Sequence, residues 1–410
     1  MNRRTFLLGA PLLAGAAAAA ETRITRVTLT PIQGRFHKFV CMNSYDTAPK
    51  GHTYENTLVR VQTDSGLEGV GVMGYATPDP AFTKALRQVI GADPLKLYQI
   101  RDGRIVGRSA DFASLLTSYN HLDGPLFDLI GKLVGKPCWQ LIGDAVRDQV
   151  EVYDGTLYFS DLWFKDRGAQ AVVEEAVEAT RSGYLGMKFK VGRGSKWMKK
   201  DAGLARDIEI LQSVREAVGP KSKILADANN GYKDNFTGAW DLLRQTKSVN
   251  LHWMEEIFPE NVAHYQQLRK QMSAEGIDTL IAEGESMRKV DDIKPFLEPE
   301  KVVDVTQMDI RRGGFLSNLD SAQLAERAGA QVVPHNWGSQ VGLFMGLHLA
   351  KAVKAVIAAE DDRSTCDSIV AKGYEFRNGH YSVSSEPGLG ISVDEAIYRE
   401  KYLQHETVIS

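Results

Sequence analysis

Ile224-Leu225-Ala226-Asp227 and Leu251-His252-Trp253-Met254-Glu255 are two short, mostly apolar runs that each close on a carboxylate, with a helix-length amphipathic stretch between them. Strand, helix and strand in that order make a crossover unit, and strands joined by crossovers run parallel. The same texture continues outward on both sides. Strands are predicted near residues 150–153, 187–191, 224–227, 251–255, 279–283, 303–309, 331–334 and 356–358. Eight such units predict an α/β fold whose parallel sheet closes into a barrel, spanning residues 146–378.

Before residue 146 the texture is different. Ile24-Thr25-Arg26-Val27-Thr28-Leu29 alternates, the run from Asn56 to Thr63 alternates again, and Thr63-Asp64-Ser65-Gly66 is a hairpin turn. From about residue 80 to 145 the apolar residues take helical spacing, up to Gly135-Lys136-Pro137 and a Leu141-Ile142-Gly143 stop. Residues 21–145 therefore predict an α+β first domain. The tail, residues 379–410, holds another antiparallel-looking piece at Tyr381-Ser382-Val383 and a Pro387-Gly388-Leu389-Gly390 turn, and is expected to return to the first domain.

Residues 1–20 stand outside both patterns. Arg3-Arg4-Thr5-Phe6-Leu7-Leu8 leads into an apolar, alanine-rich run ending in small residues, the build of a signal peptide. The paired arginines suggest the twin-arginine route, hence a periplasmic or otherwise exported protein. A membrane-anchoring helix is the alternative, although the run is at the short limit for a bilayer span. No later segment is apolar enough to cross a membrane.

Bulk composition narrows the partners. With 49 basic and 52 acidic residues in 410, the net charge is −3, and nothing suggests a phosphate-coating surface, so nucleic acid is excluded as the expected ligand. Cys41, Cys138 and Cys366 are far apart, without the spacing of a zinc or redox pair, and an odd count leaves at least one thiol unpaired.

In a β/α barrel the C-terminal strand ends converge on one mouth, so catalytic side chains recur about one unit apart. Lys190, Asp227, Glu255, Glu285, Asp309, His335 and Glu360 do so, at separations of 24 to 37 residues. Asp227, Glu255 and Glu285 make an all-oxygen, trianionic set, the chemistry of a Mg²⁺ site with Mn²⁺ as a common substitute. Lys188-Phe189-Lys190 has strand period, so both amines share a face about 7 Å apart and each disfavours the other's charge. A lysine with a lowered pKa serves as a base near neutrality; two solvated lysines on an edge strand are the plainer alternative. Asp309 and His335 end consecutive strands, where a carboxylate orients an imidazole and raises its pKa.

Taken in order, Lys188-x-Lys190, Asp227-x-Asn229, Trp253-x-Glu255-Glu256, Ile281-Ala282-x-Gly284-Glu285, Gln307-x-Asp309 and Pro334-His335-Asn336-Trp337 resemble the mandelate racemase subgroup of the enolase superfamily. The likeness runs over essentially all of the chain after residue 20. It implies a modified TIM-type (β/α)8 barrel with an α+β N-terminal capping domain, and Mg²⁺ holding a substrate carboxylate. Lys190 would be one acid/base and His335, paired to Asp309, the other, on opposite faces of the substrate. Lys188 would tune Lys190, Asn229 would contact substrate, and Glu360 would donate a hydrogen bond to the carboxylate of the enolate. The pattern selects Glu255 over Glu256, neighbours expected to point oppositely, and Glu285 over Glu283, expected to share a face. One position departs from it. The subgroup has a basic residue, one further residue and two glycines after the aspartate, whereas Arg312-Gly313-Gly314-Phe315 either puts Phe315 at the second glycine or shifts the pair by one.

The reaction so implied is removal of the α-proton of a hydroxycarboxylic (sugar) acid, then loss of a β-hydroxyl as water to give a 2-keto acid. Reprotonation at the same carbon, as a racemase or epimerase, is the alternative within the same machinery. A reading from another class is an exported sugar-acid binding protein without turnover; the presence of both Lys190 and His335 argues against it. The subgroup also implies a homo-oligomer. Selectivity is expected from loops around residues 36–54 and 71–80, where His37, Lys38, Tyr45, Lys50 and His52 are either substrate contacts or the polar side chains of an ordinary surface loop.

Overall fold

The computed structural model describes residues 21–74 and 80–410. The signal-type segment at 1–20 and residues 75–79 of the second predicted loop lie outside the described residues.

Three antiparallel strands open the fold: β1 (Ile24–Val40), β2 (Gly51–Thr63) and β3 (Glu68–Gly74). Val27 opposes Val61 and Leu29 opposes Val59, so branched side chains pair across a buried face. The helix Asp123–Val134 lies directly on β3. Glycines permit that approach: a Cβ on Gly69 would sit 2.0 Å from the Pro125 carbonyl oxygen, and one on Gly71 2.4 Å from the Pro125 ring. The stretch 80–145, expected to be helical, also contains a hairpin, β4 (Tyr98–Arg101) and β5 (Arg104–Arg108). Its turn is Asp102-Gly103, at φ 51° and 74°, the left-handed pair that a two-residue hairpin loop demands. That turn signal outweighs the helical spacing around it.

The second unit is one sheet of eight parallel strands: β6 (Gln149–Leu157), β7 (Gly186–Lys190), β8 (Lys223–Asp227), β9 (Trp253–Glu255), β10 (Leu280–Glu283), β11 (Val305–Thr306), β12 (Gln331–Val332) and β13 (Ala358–Asp361). β6 to β12 pair in chain order, and β13 pairs back onto β6. Just ahead of β13, Ile357 N–H donates to the Val332 carbonyl and Val332 N–H to that of Ala355, which brings the sheet round on itself as a barrel. Tyr153, Leu225, Trp253, Ala282, Val305, Val333 and Ala358, drawn from strands around the ring, form one buried cluster inside it. Lys190 is level with Asp227, and Asp227 with Glu255, so three chemistry-bearing side chains end their strands at one height.

The tail divides between the two units. Thr407–Ile409 adds a strand to β1, whereas His380–Ser382 pairs with β6 and so belongs to the barrel sheet. The Asp128 carboxylate, buried in the helix under β3, accepts from Val70 N (2.8 Å) and Leu389 N (2.7 Å), so one side chain holds the first domain and the tail turn together. All three cysteines are buried and unpaired.

Candidate active site

Asp227 and Glu255 end β8 and β9 with no solvent exposure, and Glu285 follows β10 by two residues. Oxygens of the three lie within 4.8 Å of one another. Gly284, at φ 121°, breaks the strand alternation between Glu283 and Glu285. Glu283 consequently turns to the Tyr265 hydroxyl, and Glu285 joins the cluster. Glu255 is held from behind: its Oε2 accepts from Trp253 Nε1 (3.1 Å) and Gln307 Nε2 (3.0 Å). Three converging carboxylates without sulfur or nitrogen donors suit a hard divalent cation, and two of them are buried where uncompensated charge is costly. The donor set therefore fits Mg²⁺.

The lysines differ from expectation. Lys188 Nζ lies 2.8 Å from Glu255 Oε1 and 2.7 Å from Glu360 Oε1, and Lys190 Nζ binds Asp227. Burial pulls both ammonium groups down, but the carboxylates outweigh it, and both sit above the usual lysine range. The expectation of a lowered pKa counted the neighbouring ammonium and left out the acids facing the pair. Glu360 is corrected for the same reason. Burial pushes its carboxyl up, yet Lys188 and His335 hold it low, so here it is an acceptor, from Lys188 and from Asn336 N (3.0 Å), rather than a donor. Burial raises Glu255 to about 7 against the pull of Lys188.

Across the mouth, Asp309 Oδ2 lies 2.9 Å from His335 Nδ1, and His335 Nε2 is 3.2 Å from Glu285 Oε2. Asp309 also caps the helix Ile310–Arg327, accepting from Arg311 N (2.8 Å) and Arg312 N (3.0 Å). Burial opposes charge on His335, but Glu285, Glu360 and Asp309 raise it to about 9. The departure in the glycine pair does not displace Asp309. Gly314 takes φ 66°, and a Cβ added there would lie 2.2 Å from the Asn120 carbonyl oxygen, so the helix needs a glycine where the first domain's backbone crosses it.

Glu256 corrects a second expectation. At φ 43° it leaves the strand, so its carboxylate does not point away from that of Glu255 but accepts from Asn229 Nδ2 (2.9 Å) and the Tyr45 hydroxyl (3.1 Å). Burial first, then Glu285 and Asp227, push its pKa well up. Of the loop residues considered, Tyr45 alone has a hydrogen bond into this cluster among the described contacts. Lys38 pairs with Glu175 and Lys50 with Asp46, both at 2.7 Å, His52 is edge-on to Phe39, and burial keeps His37 neutral with a pKa of about 4. Strand periodicity hid Glu256, and its only sequence cue is that it directly follows a strand-ending glutamate. Tyr158, whose ring lies 5.1 Å from Lys190 Nζ, carried no cue in the strand pattern.

Residues 171–397 match the family model described as Enolase C-terminal domain-like. D-xylonate dehydratase of Haloferax volcanii is 28% identical over 374 residues, covering 87% of each chain. Galacturonate dehydratase from Geobacillus sp., solved with D-galacturonate and 5-keto-4-deoxy-D-galacturonate, superimposes with a TM-score of 0.82 at 28% identity, covering 95% of this chain and 99% of that one. A mandelate racemase/muconate lactonizing protein from Geobacillus sp. Y412MC10, solved with magnesium and tartrate, does so at 0.79 and 29% identity, covering 93% and 95%.

Proposed function

This chain belongs to the enolase superfamily, in its mandelate racemase/muconate lactonizing enzyme family, and from that premise we propose that it dehydrates a sugar acid to a 2-keto acid with Mg²⁺. The observation that carries the reading is the flanking of the carboxylate triad by two proton-transfer groups, Lys190 on Asp227 and His335 on Glu285. Asp227, Glu255 and Glu285 would hold Mg²⁺, which would supply neutralisation of the second negative charge that builds beside the substrate carboxylate as the α-proton leaves.

Lys190 Nζ, in its unprotonated form, takes the α-proton. The C–H electron pair first moves into the carboxylate to give an enolate; its return forms the double bond between the α- and β-carbons as the β-hydroxyl leaves, and His335 gives that hydroxyl the Nε2 proton so that water departs. Asp309 at Nδ1 favours the protonated ring, which suits the acid role. Asp309 keeps Nδ1 protonated and the ring in place. The resulting enol gives its hydroxyl proton to solvent, takes a proton at the β-carbon and becomes the 2-keto acid. Lys188 bridges Glu255 and Glu360 and holds Glu360 charged beside the substrate carboxylate's position, while Asn229 contacts the substrate.

The test is proton NMR of the protein with Mg²⁺ in D₂O against aldonic, aldaric, uronic and simple α-hydroxy acids. A new 2-keto acid establishes the dehydratase and names its substrate. Exchange at the α-carbon without elimination replaces it by a racemase or epimerase, and tight binding without exchange by a sugar-acid binding protein. Export by the twin-arginine route rests on residues 3–20, and assembly as a homo-oligomer on the resemblance. N-terminal sequencing of protein from the periplasmic fraction checks the first, and sedimentation velocity the second.

A further inference from the structure

Seven non-glycine residues have positive φ among the described residues, and three of them, Asn229 (43°), Asn230 (58°) and Glu256 (43°), meet at the ends of β8 and β9. Left-handed backbone at a glutamate costs roughly 1 kcal/mol or more and persists only where neighbours hold it. Here Asn230 N–H donates to the Glu256 carbonyl at 2.7 Å, locking one turn onto the other.

The side chains of these turns form a chain of hydrogen bonds with one direction. Asn230 Nδ2 donates to the Tyr45 hydroxyl (2.5 Å), which donates to Glu256 (3.1 and 3.2 Å to its two oxygens), and Asn229 Nδ2 donates to Glu256 Oε2 (2.9 Å). Each amide nitrogen thereby places one of its two N–H groups inside the network. Both amide oxygens, Asn229 Oδ1 and Asn230 Oδ1, are buried and have no hydrogen-bond partner among the described residues. Asn229 as a whole is 3% exposed. A buried acceptor left so is costly until a donor arrives.

Tyr45 connects this network to the first domain. The loop that carries it is bound to the barrel by Trp197 Nε1 on the Asn43 carbonyl (2.7 Å), by the Ser44 hydroxyl on the Val191 carbonyl (3.0 Å), and by Lys196 Nζ on the carbonyls of Tyr45 (2.7 Å) and Asp46 (2.9 Å). Tyr45 itself is 46% exposed, so its ring is half in water while its hydroxyl is tucked onto Glu256. Burial of apolar surface does not explain that placement; the hydroxyl does.

We infer that Glu256 and Tyr45 are positioning residues, which fix the Asn229 amide with its oxygen free to accept from a substrate hydroxyl and tie that setting to the docked loop. The inference rests on the reading of the mouth as a sugar-acid site. It makes a polyol the favoured ligand, because an acid without a hydroxyl at this position leaves the buried oxygen unpaired.

Two variants and two readouts test it. Glu256→Gln sets an amide against the Asn229 amide, and Tyr45→Phe keeps the ring but removes the bond to Glu256. In hydrogen exchange by mass spectrometry on the free protein, both variants are expected to speed exchange across residues 41–50 by about tenfold or more. In kinetics on the best sugar acid found, kcat/KM falls roughly 10- to 100-fold. Mg²⁺ affinity stays within about twofold in Tyr45→Phe, and the wild-type penalty for the analogue lacking the contacted hydroxyl shrinks in both variants. If the wild type turns over a sugar acid but both variants match it in kinetics and loop exchange, the positioning role is wrong and the dehydratase reading stands. If the wild type exchanges no α-proton, that reading fails, and loop exchange alone judges the tie: unchanged protection in Tyr45→Phe overturns it.

Discussion

Two buried ionic clusters lie within a few residues of each other, and they are built on opposite principles. Arg193, fully buried beyond β7, is held by Asp161 and Asp207 at 2.7 Å each, and Asp207 also accepts from Tyr232 and from Gly192 N. Partly exposed Arg206 adds a second positive charge on Asp161 and carries the exposed Glu209 on its outer side, so the two buried acids face two arginines. Arginine does not lose its proton, and its planar fork satisfies both carboxylates. At the mouth, carboxylates outnumber cations. Asp227, Glu255, Glu256, Glu285, Asp309 and Glu360 face Lys188, Lys190, His335 and Arg311; burial first, and neighbouring carboxylates after it, push Glu255 and Glu256 up. The balanced cluster is structure. The unbalanced one has room for a divalent charge, and its cations are mostly residues that can give a proton up.

The sharpest way to break this contrast is to remove one acid from the mouth. Asp227→Asn is expected to abolish Mg²⁺ binding by calorimetry and to cut α-proton exchange roughly 10³-fold or more, the several kcal/mol that a Lewis acid supplies. Its thermal midpoint without metal should hold, since the change reduces a charge surplus. The balanced cluster should behave in the reverse way. Arg193→Ala leaves two carboxylates buried without their partner and should cost about 3–5 kcal/mol in denaturant unfolding, with kcat per folded molecule little changed. A variant that loses kcat without losing stability would assign Arg193 to the chemistry and end the distinction.

The parts of this account visible before the structure share one physical origin. A barrel places strand ends one βα unit apart, so Lys190, Asp227, Glu255, Asp309 and His335 could be found by spacing. Features set by a single backbone angle could not. Glu256 enters the site because φ turns positive there, Glu283 leaves it because Gly284 interrupts the strand, and the β4–β5 hairpin turns on Asp102-Gly103 within a stretch of helical spacing. Charge states were also out of reach, since the pKa of Lys188 and Glu360 depends on acids and bases brought together from strands all around the barrel. The docking of Tyr45 on Glu256 joins residues 211 positions apart, beyond any local pattern.

Smaller effects sharpen the same comparison. Gln307 touches no ligand position directly but holds Glu255 from behind. Gln307→Leu should weaken Mg²⁺ affinity about 10- to 100-fold with little loss of stability, as calorimetry and thermal unfolding would show. The least effect concerns acid. Burial lowers His37 and His121 to about 4 and His348 to about 3. Their folded pKa lies below the unfolded value of 6.5, so the stability they contribute is complete above about pH 6.5 and is lost as pH falls through 4. Urea midpoints should therefore decline from pH 6.5 to pH 4, and replacing His348, whose Nδ1 accepts from Trp139 N, by glutamine should flatten part of that decline.

The division of labour across the mouth is tested most directly by following α-deuterium incorporation and 2-keto acid formation together, in Lys190→Ala and His335→Asn with Mg²⁺ in D₂O. Lys190→Ala is predicted to do neither, and His335→Asn to exchange the α-proton while eliminating water far more slowly. Elimination by Lys190→Ala at a rate near that of the wild type would contradict the assignment of Lys190 as the base.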